Sequence, residues 1–381
     1  MASKILSKLA ARWGRHRLHR AGIIVGGSNP QDLHVHDEGV YLRVMLNGSL
    51  ALGEEHEKGN IEFNAIDEFF KKLMQKKVGA GIFARFSDAG FVLASKLKNL
   101  QTLTLAKKDV PQHYNLGNKL FSVMLKETMQ YSCAYFGRGA TELTGAQRDK
   151  MRMLCEKLRL KKGEKLRVLD VGCGFGTLAK FMAEEYGVEV VGITLSEEQA
   201  IYARTLCEGL PVDIRVLDWR EIESLGQFDR IVSVGMFEHV GPKNYDVFIH
   251  LMYRALKQGG IFVLHTIVGR GIPDRWVNKY IFSGGCLPRR EQIRKAAMIF
   301  LEWDWHEFGK DYAKTLKMWW ENFVAGWKEL VAADPRYDER FFRRWTYYLL
   351  MCSGLFAAER VGLVQIVYAK TPRSDDYEMV R

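Results

Sequence analysis

The chain has 381 residues, 47% hydrophobic and 27% charged, with 35 Gly and only 8 Pro, a composition that suits a globular protein with a sizeable core and excludes a disordered or collagenous one. Its net charge of +11 favours anionic partners such as acidic lipid or nucleic acid. No apolar run approaches the roughly 20 residues that span a bilayer, so the protein is expected to lie on a membrane rather than cross it.

The charge is uneven. Residues 1–108 hold 17 Lys/Arg against 10 Asp/Glu, and the first twenty contain Lys4, Lys8, Arg12, Arg15, Arg17 and Arg20 with no acid. The spacing predicts a helix over 3–20. Ile5, Leu6, Leu9, Ala10 and Trp13 fall on one face and the basic residues cover much of the rest. Two readings stay open: an interfacial helix with its apolar side at the acyl boundary, or a core-facing helix with a solvated basic side. An Arg-rich, acid-free start also faintly resembles a transit peptide, although a surface helix is the preferred reading. Residues 22–70 read as a small mixed unit, in which "GIIVGG", "LHVH" and "YLRVML" are strand-like or apolar pieces. A helix from Ala65 to Lys77 follows. "AKKDVPQ", with Pro111, reads as a linker, which gives domains over 1–108 and 109–381.

From residue 165 the pattern changes. "KLRVLDVG", "VEVVGITLS", "VDIRVLDW", "FDRIVSVGMF" and "GGIFVLHTI" read as five strands, alternating early on with the helices "LAKFMAEEYG" and "EEQAIYARTLCEG". Ser196 is the expected N-cap of the second helix, with Gln199 at the capping-box position. This alternation predicts an α/β fold with a parallel sheet. Residues 268–358 read as loops and long aromatic-rich helices forming a lid insertion, and "LVQIVYAK" as a closing strand. Trp303, Trp305, Trp319, Trp320, Phe323 and Trp327 would line an apolar tunnel or serve ordinary core packing. The six cysteines (133, 155, 173, 207, 286 and 352) include no Cys-x-x-Cys pair, so free thiols are expected and no metal site is.

"VLDVGCGFG" (Val168–Gly176) places Gly172, Gly174 and Gly176 between a strand and a helix, where the backbone can approach a ligand that a Cβ would block. Thr177 occupies the place of the third glycine of a dinucleotide fingerprint, so a nicotinamide site fits poorly. Asp170 followed by these glycines resembles the first motif of S-adenosylmethionine-dependent methyltransferases, and with it a Rossmann-like methyltransferase sheet is expected. Most such enzymes end the second strand with an acid; here it ends in Gly192, Ile193 and Thr194. Thr194, Leu195 and Gln199 are therefore expected at the cofactor, with Asp218 and Trp219 near the adenine.

"HYNLGN" (His113–Asn118), "MQYSCAYF" (Met129–Phe136), "VSVGMFEHVGPKNY" (Val232–Tyr245), "VLHTI" (Val263–Ile267) and "WVNKYIFSGGCLP" complete a set that closely resembles the bacterial cyclopropane fatty acid synthases and is similar to the mycolic acid cyclopropane synthases. The length and the separate N-terminal unit resemble the phospholipid-acting branch. The resemblance implies that Tyr131 and Ser132 lie against the cofactor and that Gly172 and Gly174 contact its methionine portion. It implies that Cys133, Glu238, His265, the backbone of Ile267 and Tyr312 surround a bound bicarbonate, with Cys352 a further candidate. Phe175 replaces the family's usual tryptophan. The expected reaction transfers the sulfonium methyl to the cis double bond of a phospholipid acyl chain. That methyl then loses a proton to a weak base as the ring closes. The resemblance further implies a homodimer, cytoplasmic and peripheral on the inner face of the cytoplasmic membrane. The N-terminal domain would bind lipid, and no nucleic acid would be involved. A small-molecule N-methyltransferase and a basic RNA-binding methyltransferase are the competing readings.

Overall fold

A computed structural model describes residues 2–76, 117–269, 274–373 and 377–381. The linker "AKKDVPQ", most of "HYNLGN" and the expected boundary at 108/109 lie outside the described residues.

In chain order, the N-terminal part forms α1 (Ala2–Arg20), β1 (Leu33–Val35), α2 (Val40–Glu57), β2 (Ile61–Phe63) and α3 (Ile66–Gln75). Next come α4 (Asn118–Leu125), α5 (Leu143–Lys157), β3 (Arg167–Val171), α6 (Thr177–Tyr186), β4 (Glu189–Thr194), α7 (Glu197–Leu206) and β5 (Val212–Val216). β6 (Phe228–Val234), α8 (Tyr245–Ala255), β7 (Leu256–Val268), α9 (Arg275–Tyr280) and α10 (Arg290–Ala296) follow. The chain closes with β8 (Leu301–Glu307), α11 (Gly309–Ala325), α12 (Trp327–Ala333), α13 (Glu339–Ala357) and β9 (Gly362–Ala369).

Two compact units divide these elements, and neither is continuous in sequence. The first comprises Met1–Asn99, Ile272–Ser283 and Tyr312–Val361; the second comprises Leu100–Gly271, Gly284–Asp311 and Gly362–Arg381.

In the first unit "YLRVML" is helical, within α2, and not strand-like. Tyr41 is buried with Ala10 and Ala11 of α1, and that burial on a helical period overrides the local β propensity of the string. "GIIVGG" supplies only an isolated bridge between Val25 and Leu33. The β1–β2 pair is antiparallel. α13 crosses α3 so closely that a Cβ at Gly354 would stand 2.4 Å from Asp67 O. Trp276 and Tyr347 meet edge to face at 4.7 Å, and Phe323, Trp327 and Phe342 form a ring cluster. Trp319 is 1% exposed and Phe323 fully buried, so these two aromatics serve as core.

The second unit is built on a seven-stranded sheet of order β5-β4-β3-β6-β7-β9-β8. β5, β4, β3, β6 and β7 run parallel, and β9 pairs antiparallel with both β7 and β8. The five expected strands and the closing strand all form. β8 corrects the reading of 268–358 as loops and helices only. "LEWDWHE" carries a bulge between Glu302 and Asp304, which breaks the period-2 pattern that marks a strand. Trp303 on β8 packs at 5.0 Å on Tyr377 and donates from Nε1 to Thr371 O, a structural post. One core lies between the sheet and α8 with Phe237 and Trp219; the other lies on the opposite face under α5, α6 and α7.

Candidate active site

Chain order reverses across β3, with β4 on one side and β6 on the other, and open α/β sheets bind ligands at the carboxyl ends of strands around such a point. A cavity lies there, walled by the segments Met129–Ser132, Asp170–Phe175, Ile193–Leu195 and Val234–Met236, with Leu178, Gln199, Leu217, Trp219 and His239. Gly172, Gly174 and Gly176 have φ of 87°, 56° and 79°, the left-handed region that glycine enters without penalty. The N–H groups of Gly172 and Cys173 donate to Ile193 O at 3.0 and 2.9 Å, which folds the glycine turn over the end of β4. A Cβ at Gly172 would stand 2.8 Å from Met236 Cβ, and one at Gly176 2.7 Å from Ala203 Cβ; at Gly174 no protein atom lies within 4 Å.

Of the residues expected at a cofactor, Tyr131, Ser132, Gly172, Gly174, Thr194, Leu195, Gln199 and Trp219 line this cavity. Asp218 does not. It is 1% exposed, accepts from Arg220 N at 2.9 Å as the cap of the following turn, and pairs with the Arg220 guanidinium. Ser196 Oγ caps α7 by accepting from Gln199 N at 3.3 Å. The Gln199 side chain does not close the expected box; it accepts from Thr194 Oγ1 at 2.9 Å and so fixes both side chains at the cavity wall. Phe175 is held between Phe121 and Tyr202 at 5.6 and 5.4 Å, and Phe121 meets Tyr131 at 5.2 Å, a continuous run of rings behind the glycine turn.

Glu238 sits in a short turn after β6 (Phe237–His239), between the cavity-lining residues Met236 and His239. Its Oε1 accepts from Ile267 N at 2.7 Å, and Oε2 is buried with no hydrogen-bond partner among the described residues. Burial pushes its carboxyl up to about 7, partly offset by the Ile267 N–H. His265, on β7, is 1% exposed, and burial holds its imidazole well below the ordinary value, helped by the charges of Lys150 and Lys157. The Gln365 side-chain amide and His265 Nδ1 share a hydrogen bond at 3.0 Å, which leaves Nε2 as the ring atom still to be partnered. That atom is also buried without a partner among the described residues. Cys133 is fully buried, with Sγ 3.1 Å from Ala134 O. Cys133 and His265 each interact electrostatically with Lys150, which puts these two expected residues in one electrostatic neighbourhood. Tyr312 and Cys352 belong to the first compact unit. There the Tyr312 ring packs at 4.6 Å on Phe356, and burial pushes the Cys352 thiol up to about 12.

Sequence reasoning passed over several groups in this region. Met236 and His239 stand inside a quoted string, and their cavity position follows once the turn after β6 is recognised. Gln130 likewise stands inside the quoted "MQYSCAYF", whereas Gln147 and Lys150 carry no motif. Lys150 is fully buried, and its Nζ donates to Ser132 Oγ at 2.8 Å and to Gln130 Oε1.

The family described as mycolic acid cyclopropane synthetase matches residues 101–366. Cyclopropane-fatty-acyl-phospholipid synthase of Escherichia coli (strain K12) is 47% identical over 357 residues, 93% of this chain and 91% of that protein. The crystal structure of a mycolic acid cyclopropane synthase complexed with SAH and CTAB superposes with a TM-score of 0.64 at 31% identity, covering 69% of this chain and 97% of that one. Coclaurine N-methyltransferase, at 18% identity and a TM-score of 0.69 over 84% of this chain and 99% of its own, shares the fold. With a family match over most of its length and a relative of near-equal span, this chain belongs to the cyclopropane synthase family.

Proposed function

We propose that the protein is a cyclopropane-fatty-acyl-phospholipid synthase, which uses S-adenosylmethionine to convert the cis double bond of a phospholipid acyl chain to a cyclopropane ring, with bicarbonate as the base. One observation carries this reading: the glycine-lined cavity at the β3 switch point is walled by Met236 and His239, and between these two in sequence stands Glu238, whose Oε2, like His265 Nε2, is buried and unpaired among the described residues. Buried polar atoms without partners are costly and point to a missing ligand. S-adenosylmethionine supplies an electrophilic methyl group, and bicarbonate a weak base able to accept one proton.

The residues fit both. Gly174 leaves open space where a ligand can touch the backbone. Trp219 offers an aromatic edge to an adenine, and Thr194 and Gln199 offer fixed polar atoms in place of the usual acid. Near neutral pH a carboxyl raised to about 7 is present both with and without its proton, so Glu238 can donate to or accept from a small oxyanion. His265, held neutral by burial, can donate or accept at Nε2 according to its tautomer. The Cys133 thiol is the third expected contact. Tyr312 and Cys352, both in the first unit, rest on the family resemblance alone, and burial keeps the Cys352 thiol protonated.

The test is direct. Protein incubated with S-adenosylmethionine and vesicles of unsaturated phospholipid should add one methylene, about 14 mass units, to the acyl chains with loss of the double bond. Methyl gain on an amine, with the olefin intact, would favour the N-methyltransferase reading instead.

Membrane contact is proposed through the first unit. On α1, Ile5, Leu6 and Leu9 are 58%, 52% and 58% exposed, while Ala10, Ala11 and Leu18 on another side are buried. Arg17 lies over the Trp13 ring at 4.7 Å. α1 thus packs on one side and presents a second apolar strip beside its cations, the arrangement of an interfacial helix. No helix among the described residues is long and apolar enough to cross a membrane. Replacing Ile5, Leu6 and Leu9 together by Ser should weaken flotation with anionic vesicles by about tenfold or more; unchanged flotation would reject the role. The strip faces away from the core, so thermal stability should barely move.

A further inference from the structure

Lys150 has no part in the chemistry above, yet its position is expensive. It is fully buried, and an ammonium withdrawn from water needs hydrogen bonds and countercharge to compensate. Both are present. Nζ donates to Ser132 Oγ at 2.8 Å and to Gln130 Oε1. One turn earlier on α5, Gln147 Nε2 donates to Ser132 O at 2.8 Å and to Gln130 O at 3.3 Å. Residues three apart share one helix face, so a single face of α5 grips one short segment by two backbone carbonyls and two side chains. That segment, Gln130 to Ser132, is a wall of the cavity, whereas α5 itself does not line it.

The countercharge is Asp170, at the end of β3. It is 1% exposed, its Oδ2 has no hydrogen-bond partner among the described residues, and Lys150 is the cation whose charge offsets the cost of its burial. Lys150 also acts electrostatically on Cys133, and it adds only a secondary push to the burial that lowers His265. Burial pulls Lys150 down and pushes Asp170 up, and each opposes the other's shift.

We infer that Lys150 and Gln147 are a positioning pair, which holds the Gln130–Ser132 wall against the cofactor cavity and thereby sets cofactor affinity rather than the rate of methyl transfer. The inference rests on the proposed function, because it takes the cavity as the S-adenosylmethionine site.

Calorimetry with S-adenosylhomocysteine tests it without turnover. Lys150→Met should weaken binding roughly 10- to 100-fold, the scale of a buried charged hydrogen-bond partner lost. The KM for S-adenosylmethionine should rise in parallel, while kcat at saturation stays within about threefold of the unaltered protein, the signature of binding lost without transition-state stabilisation. A folded Lys150→Met protein with unchanged affinity overturns the inference, and so does a lost kcat at unchanged KM. If Lys150→Met does not fold, Gln147→Leu removes the two carbonyl contacts without stranding a charge; it should weaken binding about tenfold, and unchanged affinity there overturns the inference equally. Failure of the unaltered protein to bind S-adenosylhomocysteine would instead overturn the proposed function, and the inference with it.

Discussion

Glu238→Gln is expected to cost most of the activity and to make the folded protein more stable above neutral pH. The loss of rate should be on the order of 100- to 10,000-fold, the range for removing a group that positions or exchanges a proton in the transition state. The gain in stability follows from burial. The folded Glu238 carboxyl sits at about 7 against 4.5 for the free side chain, so the native state keeps its proton to higher pH than the unfolded chain does. Stability from the neutral carboxyl is therefore intact below about 4.5 and is lost as pH rises through about 7. Each pH unit between those two values is worth roughly 1.4 kcal/mol, so ionisation at pH 8 costs about 3 kcal/mol. Glutamine never ionises, and its oxygen can still accept from Ile267 N. Denaturant unfolding of both proteins should show Glu238→Gln ahead by about 1–3 kcal/mol at pH 8, with the gap below about 1 kcal/mol at pH 5. A gap of equal size at both pH values would remove the buried charge as its cause.

The second large effect concerns Gly174. Alanine there meets no protein atom within 4 Å, so the cost to the fold is only the left-handed φ of 56°, about 1 kcal/mol. Its methyl group would nonetheless fill the place where a ligand reaches the backbone. Gly174→Ala should lower S-adenosylhomocysteine affinity by about 100-fold or more while leaving the thermal midpoint within a few degrees. Gly172 and Gly176 make poorer probes, because a Cβ at either would strike Met236 or Ala203 and confuse a folding defect with a binding one. Full affinity in Gly174→Ala would mean that the ligand does not pass over this turn.

The parallel half of the sheet is legible in the sequence because each strand is a short apolar run ending in a turn residue, and α6 and α7 announce themselves by caps. β8 is not, since its bulge shifts the alternation, and α2 is not, since "YLRVML" is equally at home in either structure until Tyr41 meets α1. At the site, the glycines are legible because backbone conformation demands them. Glu238 and His265 are legible only through the strings around them. Asp218 is expected at the cavity from its place after β5, but Arg220 and a cap absorb it. Lys150 and Gln147 carry no local signal at all. Their role comes from the packing of α5 beside a segment nearly twenty residues earlier, which no periodicity reports.

The interleaving of the two compact units bears on how the protein is made. The unit that begins the chain is finished only by α13, whose Gly354 seats against Asp67 and Phe70 of α3. A ribosome delivering residues in order must therefore expose α1 to α3 long before their packing partner has left the exit tunnel. Domains that fold during synthesis usually close from the front. Here the first three helices must wait, the face of α3 that meets α13 uncovered, for nearly the whole polypeptide to emerge.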